Sequence, residues 1–260
     1  MCNHLKDNPF LQNNGFFFKT LIEFINNYDK KPKNSMNIIN EIEKKIIDID
    51  SNYLTDFSTM IDYLLTKMHD ESNTKKVSDP NYGEENYEEK NAYNFFQEKY
   101  FSQNDSIIQK TFFGVNAIIS KTDCCGLPKY KFEIFKYIYI SKEDFKNNNN
   151  LQLIIKSKEK KKNSNNLYCK MCDKKANAEI EKRIKDYPEI LIIILDNHEK
   201  TKIEFSTELN IGKCKYNFLS CIIEDKNNTD DFNIIFRRDM TWLTFNNKYK
   251  KEEIGNEIGK

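Results

Sequence analysis

The sequence predicts an α+β fold, with helices in the first part of the chain and a largely antiparallel sheet in the second. Apolar residues recur at helical spacing in the first 75 residues, whereas short β-rich runs recur from Ile107 onwards. Lys- and Asn-rich stretches at Lys146–Asn150 and Lys156–Asn166 separate these runs and predict loop tips or flexible connections. The 260 residues are enough for one large domain or two small ones.

Three helices are expected near the N-terminus, at Phe16–Ile25, after a capping Ser35, and at Asp56–Glu71. The second of these carries four isoleucines between positions 38 and 46 at helical spacing. The polar, acidic stretch Asn73–Ser106 predicts a surface insertion that contains one helix near Tyr93–Tyr100.

Six later segments are short and rich in β-branched and aromatic residues, which predicts strands. They are Tyr130–Ile140, Leu151–Ile155, Ile190–Leu195, Tyr216–Ile223, Phe232–Phe236 and Trp242–Phe245.

Composition narrows the possible partners and locations. Lys and Arg number 41 and Asp and Glu 40, so a net charge of +1 favours neither nucleic acid nor an acidic membrane. The basic run Lys156–Lys162 has no interleaved aromatic residues and predicts a solvated loop. No apolar run reaches the roughly 18–20 residues that span a bilayer, and Met1–Phe10 does not have the pattern of a signal peptide. We therefore expect an intracellular protein, cytoplasmic or nuclear, with no nucleic-acid or membrane partner.

The chain has seven cysteines, two close pairs among them, and no secretory signal. In a reducing compartment such pairs more often bind metal than form disulfides. Cys214 and Cys221 lie in strand-like segments and are predicted to be core residues.

Five segments, in the correct order, resemble motifs of the ubiquitin-specific proteases and cover nearly the whole chain. Cys2–Gln12 resembles the family's opening motif, Gly-Asn-Thr-Cys-Tyr-Met-Asn-Ser-x-Leu-Gln. Asp56–Asn73 resembles its Asp-Ala-x-Glu-Phe helix with a Leu-His-Glu-Glu ending. Ile107–Gly126 contains Phe112-Phe113-Gly114 and then Cys125-Gly126.

The other two segments follow in the second half of the chain. Cys169-x-x-Cys172 and then Tyr187–Ile193 resemble the family's Cys-x-x-Cys and its Leu-Pro-Glu-x-Leu-x-Ile strand. Tyr216–Asn247 resembles the closing block, which carries a Gly-His-Tyr and then a Trp-x-x-Phe-Asp-Asp. Each motif alone is weak, and five in order are specific.

The resemblance implies a papain-like α+β fold with a helical thumb, an antiparallel β palm and β fingers. A single domain would span residues 1–255. The thumb would occupy residues 1–105, with the polar insertion at 73–106, and the palm and fingers would occupy residues 107–255. In the family, the fingers and palm grip ubiquitin, and its C-terminal tail passes between thumb and palm.

The family's chemistry needs a thiolate nucleophile, an imidazole base and an amide or carboxylate that orients the base. The motif alignment places these roles at Leu5, Asp231 and Asn246. Leucine has no ionisable proton, and an Asp with an ordinary pKa of about 3.9 is a poor base for a thiol near pH 7. The position of the oxyanion-hole side chain falls before Met1. The resemblance therefore implies that no catalytic residue set is intact.

None of the remaining candidates matches the positions of the lost pair, and Cys2 is the one cysteine left as an alternative nucleophile. Cys2 lies three positions too early to match the nucleophile. His4 lies beside the lost nucleophile as a polar surface residue, His69 is expected to cap or pack a helix, and His198 is far in sequence from Asp231. No histidine follows His198.

The cysteine pairs resemble the family's fingers, where two Cys-x-x-Cys turns often hold zinc in a tetrahedral thiolate site. The second pair, Cys169 and Cys172, is intact. In the first, Cys125 fits the second position and Thr122 occupies the first. Cys124 is an awkward fourth candidate, because neighbouring side chains on an extended ribbon point in opposite directions. Structural zinc and a vestigial set of packed thiols both remain open.

The resemblance leaves three functions open. One is an inactive domain that binds ubiquitin or a ubiquitinated protein, or scaffolds a complex as one of its subunits. The alternative is an active cysteine-type deubiquitinase with a misassigned or unusual active site. A weaker third is an assembly role without ubiquitin. Enzyme status is therefore open, although the family are thiol isopeptidases.

Overall fold

The computed structural model describes residues 15–27, 40–42, 44–45, 57–78, 86–146, 148–159, 161–196, 203–204, 206–224, 232–238, 241–246 and 251–254. The chain divides into two compact units. One is Met1–Tyr139 with Glu159–Ile194, and the other is Ile140–Lys158 with Leu195–Lys260. No helix within the described ranges is long and apolar enough to cross a membrane.

The first unit begins with helices, as predicted. They are α1 (Phe16–Asn27), α2 (Phe57–Ser72), α3 (Glu89–Gln103) and α4 (Ile107–Phe112). Phe18 of α1, Leu65 of α2 and Ile108 of α4 form one buried apolar cluster. The expected cap Ser35 lies outside the described residues, whereas residues 40–42 and 44–45 are helical. The helical first part of the predicted fold is confirmed.

A four-stranded sheet completes this unit. Its strands are β1 (Gly114–Thr122), β2 (Pro128–Phe135), β4 (Lys162–Cys169) and β5 (Lys174–Asp186), in the order β2-β1-β5-β4. All neighbouring strands are antiparallel. Two further short strands, β3 (Ile138–Ile140) and β6 (Ile193–Leu195), pair with each other.

Helix α3 lies at the predicted position, but the prediction of a surface insertion is wrong there. Ala92, Phe96 and Tyr100 are buried in one cluster with side chains of β1 and β2, among them Val115 and Phe132. Because these three residues of α3 are spaced by four, they line one face of the helix. The acidic composition of the segment concealed this apolar face.

Gly114, the glycine of the Phe-Phe-Gly motif, begins β1 at a point where the chain is tightly packed. A Cβ atom there would lie 2.4 Å from the Phe135 ring and 2.9 Å from the Asp186 carbonyl oxygen. Both neighbours flank Gly114 from the adjoining strands. Glycine is therefore required for close approach of the three strands.

The second unit is mostly antiparallel sheet. Its described elements are α5 (Lys142–Phe145), α6 (Leu151–Lys158), β7 (Glu208–Ile211), β8 (Cys214–Asn217), β9 (Ser220–Glu224), β10 (Phe232–Arg238), β11 (Thr241–Asn246) and β12 (Lys251–Ile254). Four of these strands pair in the order β12-β11-β10-β9, and a separate hairpin joins β7 to β8. Trp242 of β11 is buried, as expected for a core residue. The strands predicted at Phe232–Phe236 and Trp242–Phe245 are confirmed.

The strands expected from Ile107 onwards begin only at Gly114, because Ile107–Phe112 forms helix α4, and the segment predicted at Tyr216–Ile223 is divided between β8 and β9.

Three further secondary-structure predictions need correction. Leu151–Ile155 begins helix α6 instead of forming a strand, because the Asn150 side chain caps it by accepting the Leu153 N–H at 3.2 Å. The stretch Lys156–Asn166 is not a loop, since α6 runs into it and β4 begins in it. Within Ile190–Leu195 only the last three residues form a strand.

Candidate functional site

Four cysteines meet at the end of the first unit's sheet where the β1–β2 and β4–β5 turns lie. Cys124 and Cys125 occupy the first turn, Cys169 ends β4, and Cys172 lies in the second turn. All four Sγ atoms lie within 4.8 Å of one another, and the Cys125 and Cys169 sulfurs are 3.6 Å apart. The structure thus brings together the three predicted cysteines and the fourth candidate, in a group that can hold a metal ion.

Strand pairing and tight turns create this arrangement. Strands β1 and β5 pair as far as Thr122 and Ala178, and the Asp123 N–H then donates to the Asn177 carbonyl at 2.9 Å. Gly126 adopts a φ of 67° in the first turn, and its N–H donates to the Thr122 carbonyl at 2.9 Å. In the second turn Asp173 has a φ of 51° and accepts a hydrogen bond from the Tyr168 hydroxyl. Each turn therefore folds its cysteines back towards the other.

The expectation that Cys124 would point away from the other sulfurs is wrong. It assumed an extended ribbon, in which adjacent side chains alternate. Residues 123–125 instead form a turn, so two adjacent cysteines can face the same point. Thr122, which occupies the family's first cysteine position, lies beside the cluster, with its hydroxyl 3.3 Å from the Cys125 sulfur and 3.6 Å from that of Cys124.

The thiols influence one another's protonation. Hydrogen bonding from the Thr122 hydroxyl, with smaller contributions from neighbouring donors, lowers the pKa of Cys169. Hydrogen bonding with Cys124, together with burial, raises the pKa of Cys172. Deprotonation of one thiol is thus favoured in the cluster, whereas deprotonation of a second is opposed because like charges repel at this distance. A bound cation is the usual means of holding several thiolates together.

The two remaining described cysteines lie elsewhere, at the start of β8 and in β9. Cys214 and Cys221 are half-buried, which is less than the predicted core positions imply. Burial raises the pKa of Cys221. Neither belongs to the sulfur cluster.

The predicted catalytic positions are described only in part. Leu5 and Asp231 lie outside the described residues, as do Cys2, His4 and His198. Asn246 ends β11, where its backbone pairs with Asn233 of β10. Strand β10 begins at Phe232, directly after Asp231. Convergence of Leu5, Asp231 and Asn246 stays a prediction.

His69 is the one histidine among the described residues, and it is buried, which agrees with the expectation that it caps or packs a helix. Its Nδ1 lies 2.6 Å from the Ser106 Oγ and its Nε2 lies 3.0 Å from the Asn104 Oδ1. Because the Asn104 amide nitrogen donates to the Tyr100 carbonyl, its oxygen is left to accept from His69 Nε2–H. Nδ1 then accepts from the Ser106 hydroxyl, whose oxygen accepts the Gln109 N–H at 2.9 Å.

This Ser–His–Asn set has the residue types of a nucleophile, a base and an orienting amide. It does not form an active site, because Ser106 is 0% exposed, Asn104 4% and His69 7%. Its role is to hold α2 against the α3–α4 connection. Sequence reasoning missed Ser106 and Asn104, although a serine directly before the Ile107 helix is a recognisable capping signal.

Comparison with known proteins identifies the family. Residues 17–254 match the family model described as ubiquitin carboxyl-terminal hydrolase. The chain belongs to the ubiquitin carboxyl-terminal hydrolase family. The match covers the helices, both sheets and the four cysteines. No curated protein sequence matches the chain significantly.

Solved structures agree on the fold of this family. One is a SAGA DUB module of a substituted Ubp8 with Sgf11, Sus1 and Sgf73, bound to monoubiquitin, with a TM-score of 0.70 at 16% identity. Another is a SAGA DUB module with a different Ubp8 substitution and a shortened Sgf11, and it gives a TM-score of 0.68 at 15% identity. A third is described as a yeast SAGA DUB module with an Sgf73 mutant and gives 0.52 at 16% identity.

The coverage of these matches is unequal. The first two matches cover 98% of this chain, and they cover 60% and 58% of the solved chains. The match to the yeast module covers 75% of this chain and 46% of the solved chain. This chain thus spans about 60% of the length of the first solved chain it matches. The fold is the α+β, papain-like fold of the ubiquitin-specific proteases.

Proposed function

We propose that this chain is a catalytically inactive ubiquitin-specific-protease-like domain that binds ubiquitin or a ubiquitinated protein, or scaffolds a complex as one of its subunits. The observation that carries the proposal is the position of the last histidine. The family match extends to residue 254, yet no histidine follows His198. The closing strands β10 and β11 therefore carry no imidazole for a thiol nucleophile.

The residues at the aligned catalytic positions support inactivity. Leu5 offers no nucleophile, and Asp231 is too weak a base at neutral pH if its pKa is ordinary. Asn246 retains an amide suited to orient an imidazole, which the closing strands β10 and β11 do not carry. In this proposal the domain spans residues 1–255, with a thumb in 1–105 and the palm and fingers in 107–255.

Ubiquitin is the favoured partner because one structurally similar chain is described as bound to monoubiquitin. The same description places that chain in an assembly of several subunits, which supports a place for this chain in a complex, inside the cell and in the cytoplasm or nucleus. At 16% identity the similarity is one of fold, so these partners rest on the proposal alone. The competing function is an active cysteine deubiquitinase in which Cys2 acts as an unusual nucleophile.

We further propose that Cys124, Cys125, Cys169 and Cys172 hold a structural zinc ion. Four sulfurs at about 2.3 Å from zinc in a tetrahedron lie about 3.8 Å from each other. The separation of 3.6 Å between Cys125 and Cys169, and the 4.8 Å limit on all pairs, fit that geometry with small adjustments. The competing interpretation is a vestigial cluster of packed thiols.

Titration of labelled ubiquitin with the purified chain tests the proposed binding. We expect a saturable rise in fluorescence anisotropy, with ubiquitin recovered intact by mass spectrometry after the titration. An unrelated labelled protein of similar size is the control for non-specific binding. No saturable change with ubiquitin would eliminate ubiquitin binding and leave scaffolding. Cleavage of a ubiquitin fusion that Cys2→Ser abolishes would establish the competing active enzyme.

A further inference from the structure

The four clustered sulfurs differ in exposure and in the pairs they can form. Cys169 is 0% exposed, whereas Cys124, Cys125 and Cys172 are half-buried. The Cys125 and Cys169 sulfurs belong to different turns and lie 3.6 Å apart. A disulfide bond is about 2.05 Å long, so a closure of about 1.5 Å joins the two turns covalently.

We propose that Cys125 and Cys169 form an oxidative modification site, at which a hydroperoxide converts the two thiols into a disulfide across the turns. The disulfide needs only these two thiols and does not depend on ubiquitin binding. The expectation that the disulfide releases metal rests on the proposed zinc site, because the disulfide removes two of the four zinc ligands. Oxidation would thus exchange a metal cross-link for a covalent one.

The reaction proceeds in two balanced steps. The half-buried sulfur of Cys125 attacks one oxygen of the hydroperoxide, so an S–O bond forms, the O–O bond breaks, and the second oxygen leaves with a proton as water or an alcohol. The sulfur of Cys169 then attacks the resulting sulfenic sulfur, an S–S bond forms, and the S–O bond breaks. Hydroxide leaves and takes the Cys169 proton as water. Two thiols lose two electrons, and the peroxide gains them.

The cross-turn pair is favoured over the adjacent pair for a geometric reason. Consecutive Cα atoms are about 3.8 Å apart, below the roughly 4.4–6.8 Å usual for a disulfide, so Cys124 and Cys125 form an unfavourable pair. Cys169 and Cys172 share one turn and are the serious competitor. Strand β5 lies between the two cysteines' strands and pairs with β1 up to Thr122 and with β4 up to Cys169, so joining Cys125 to Cys169 adds a link between strands that β5 already holds together.

Peptide mapping distinguishes the two pairings directly. Lys170 lies between Cys169 and Cys172, so trypsin places these cysteines in different peptides, and residues 122–129 form a third peptide with Cys124 and Cys125. The reduced full chain is treated with hydrogen peroxide, alkylated and digested without reductant. We expect a cross-link between peptides 122–129 and 163–170, with fragmentation assigning it to Cys125. Zinc release, followed with a metal-binding dye, should keep pace with this cross-link.

Single substitutions supply the controls. Cys125→Ser should eliminate the 122–129 to 163–170 cross-link, whereas Cys214→Ser and Cys221→Ser should leave its yield unchanged. Cys125 is half-buried, so its replacement remains informative if Cys169→Ser does not fold. A cross-link from 163–170 to the Cys172 peptide, or oxidation to sulfinic acid without any disulfide, would overturn the proposal. A cross-link without zinc release would retain the modification site and contradict the proposed metal site.

Discussion

The two ends of the β2-β1-β5-β4 sheet are held together in different ways. At the end near Gly114, which we call the base, Phe96 and Tyr100 of α3 pack on Val115 and Phe132. The opposite end, which we call the tip, consists of the β1–β2 and β4–β5 turns around four sulfurs. The base is thus stabilised by apolar burial, whereas the tip has four sulfur atoms close together in place of an apolar cluster.

Exposure of the outer strand shows why the tip differs. Of the eight residues of β4, only Cys169 is buried. Met171 is 60% exposed and Leu127 46% exposed, so the turns bury little apolar surface. At about 25 cal/mol per Å² of apolar surface, such turns gain little from burial. The proposed metal ion would supply the stabilisation that apolar burial does not supply at these turns.

The largest expected effect is loss of order at the tip when metal is removed. Structural zinc contributes on the order of 10 kcal/mol in small sites, so chelation should speed amide exchange at the tip by roughly a hundredfold or more. Hydrogen exchange at Asp123 and Gly126 measures this, with Val115–Ala117 at the base as the internal control. Equal exchange with and without chelator would show that the tip does not depend on metal.

The next largest effect is expected when a buried side chain is truncated in the apolar cluster at the base of the sheet. Phe96→Ala removes a side chain that is 1% exposed and packs against the rings of Tyr100 and Phe132. We expect a loss of about 3–5 kcal/mol in the free energy of unfolding by urea denaturation. Phe101→Ala on the same helix is the matched control and should cost less than about 1 kcal/mol, since Phe101 is 43% exposed. Similar losses for both variants would argue against the assignment of α3 to the core.

A smaller effect is expected from the buried polar contacts of His69. Ser106→Ala removes the hydroxyl that donates to His69 Nδ1 and accepts the Gln109 N–H. Leaving two buried groups unpartnered should cost about 1–3 kcal/mol of unfolding free energy. The exposed Ser102, which donates to the Lys99 carbonyl, provides the control in Ser102→Ala. Equal stability of Ser106→Ala and the unmodified chain would exclude the proposed structural role.

The smallest effect is a dependence of stability on pH. Burial lowers the pKa of His69, and nearby Lys136 acts in the same direction, while the Asn104 hydrogen bond and Asp70 oppose the shift. As the pH falls below about 6.5, the unfolded chain binds a proton that the folded chain resists, so unfolding becomes easier. Above that pH both states are neutral at His69 and the penalty is absent. A plot of unfolding free energy against pH should be less steep below about pH 6.5 for His69→Gln than for the unmodified chain. An unchanged slope would contradict the assignment of this pH dependence to His69.

The sequence predicted the fold class because periodicity reports apolar faces directly. Phe16–Ile25 and the strands around Trp242 follow simple periods of helix and strand, and both are confirmed. The strand predicted at Leu151–Ile155 was wrong because a short run of Leu and Ile fits both a helix and a strand. Its buried residues Leu151, Ile154 and Ile155 have helical spacing, and the preceding Asn150 supplies the cap.

The cysteine cluster was predictable in part. Spacing identified Cys169 and Cys172 as one turn, and the family resemblance paired that turn with Cys125. The orientation of Cys124 depended on a tight turn ending at Gly126, whose φ of 67° the sequence does not specify uniquely. Contacts between Ser106 and His69 join residues 37 positions apart, and no local pattern encodes such a pair.

Turnover of a ubiquitin–amide reporter tests the central claim most directly, namely that the family fold persists here without the family's chemistry. The unmodified chain should release no reporter above the buffer rate, because the proposed alignment places Leu5 and Asp231 at the positions of the nucleophile and the base. Leu5→Cys alone should also fail, whereas Leu5→Cys with Asp231→His should regain a trace if the two positions converge. Reporter release by the unmodified chain, eliminated by Cys2→Ala, would contradict the account and make Cys2 the nucleophile.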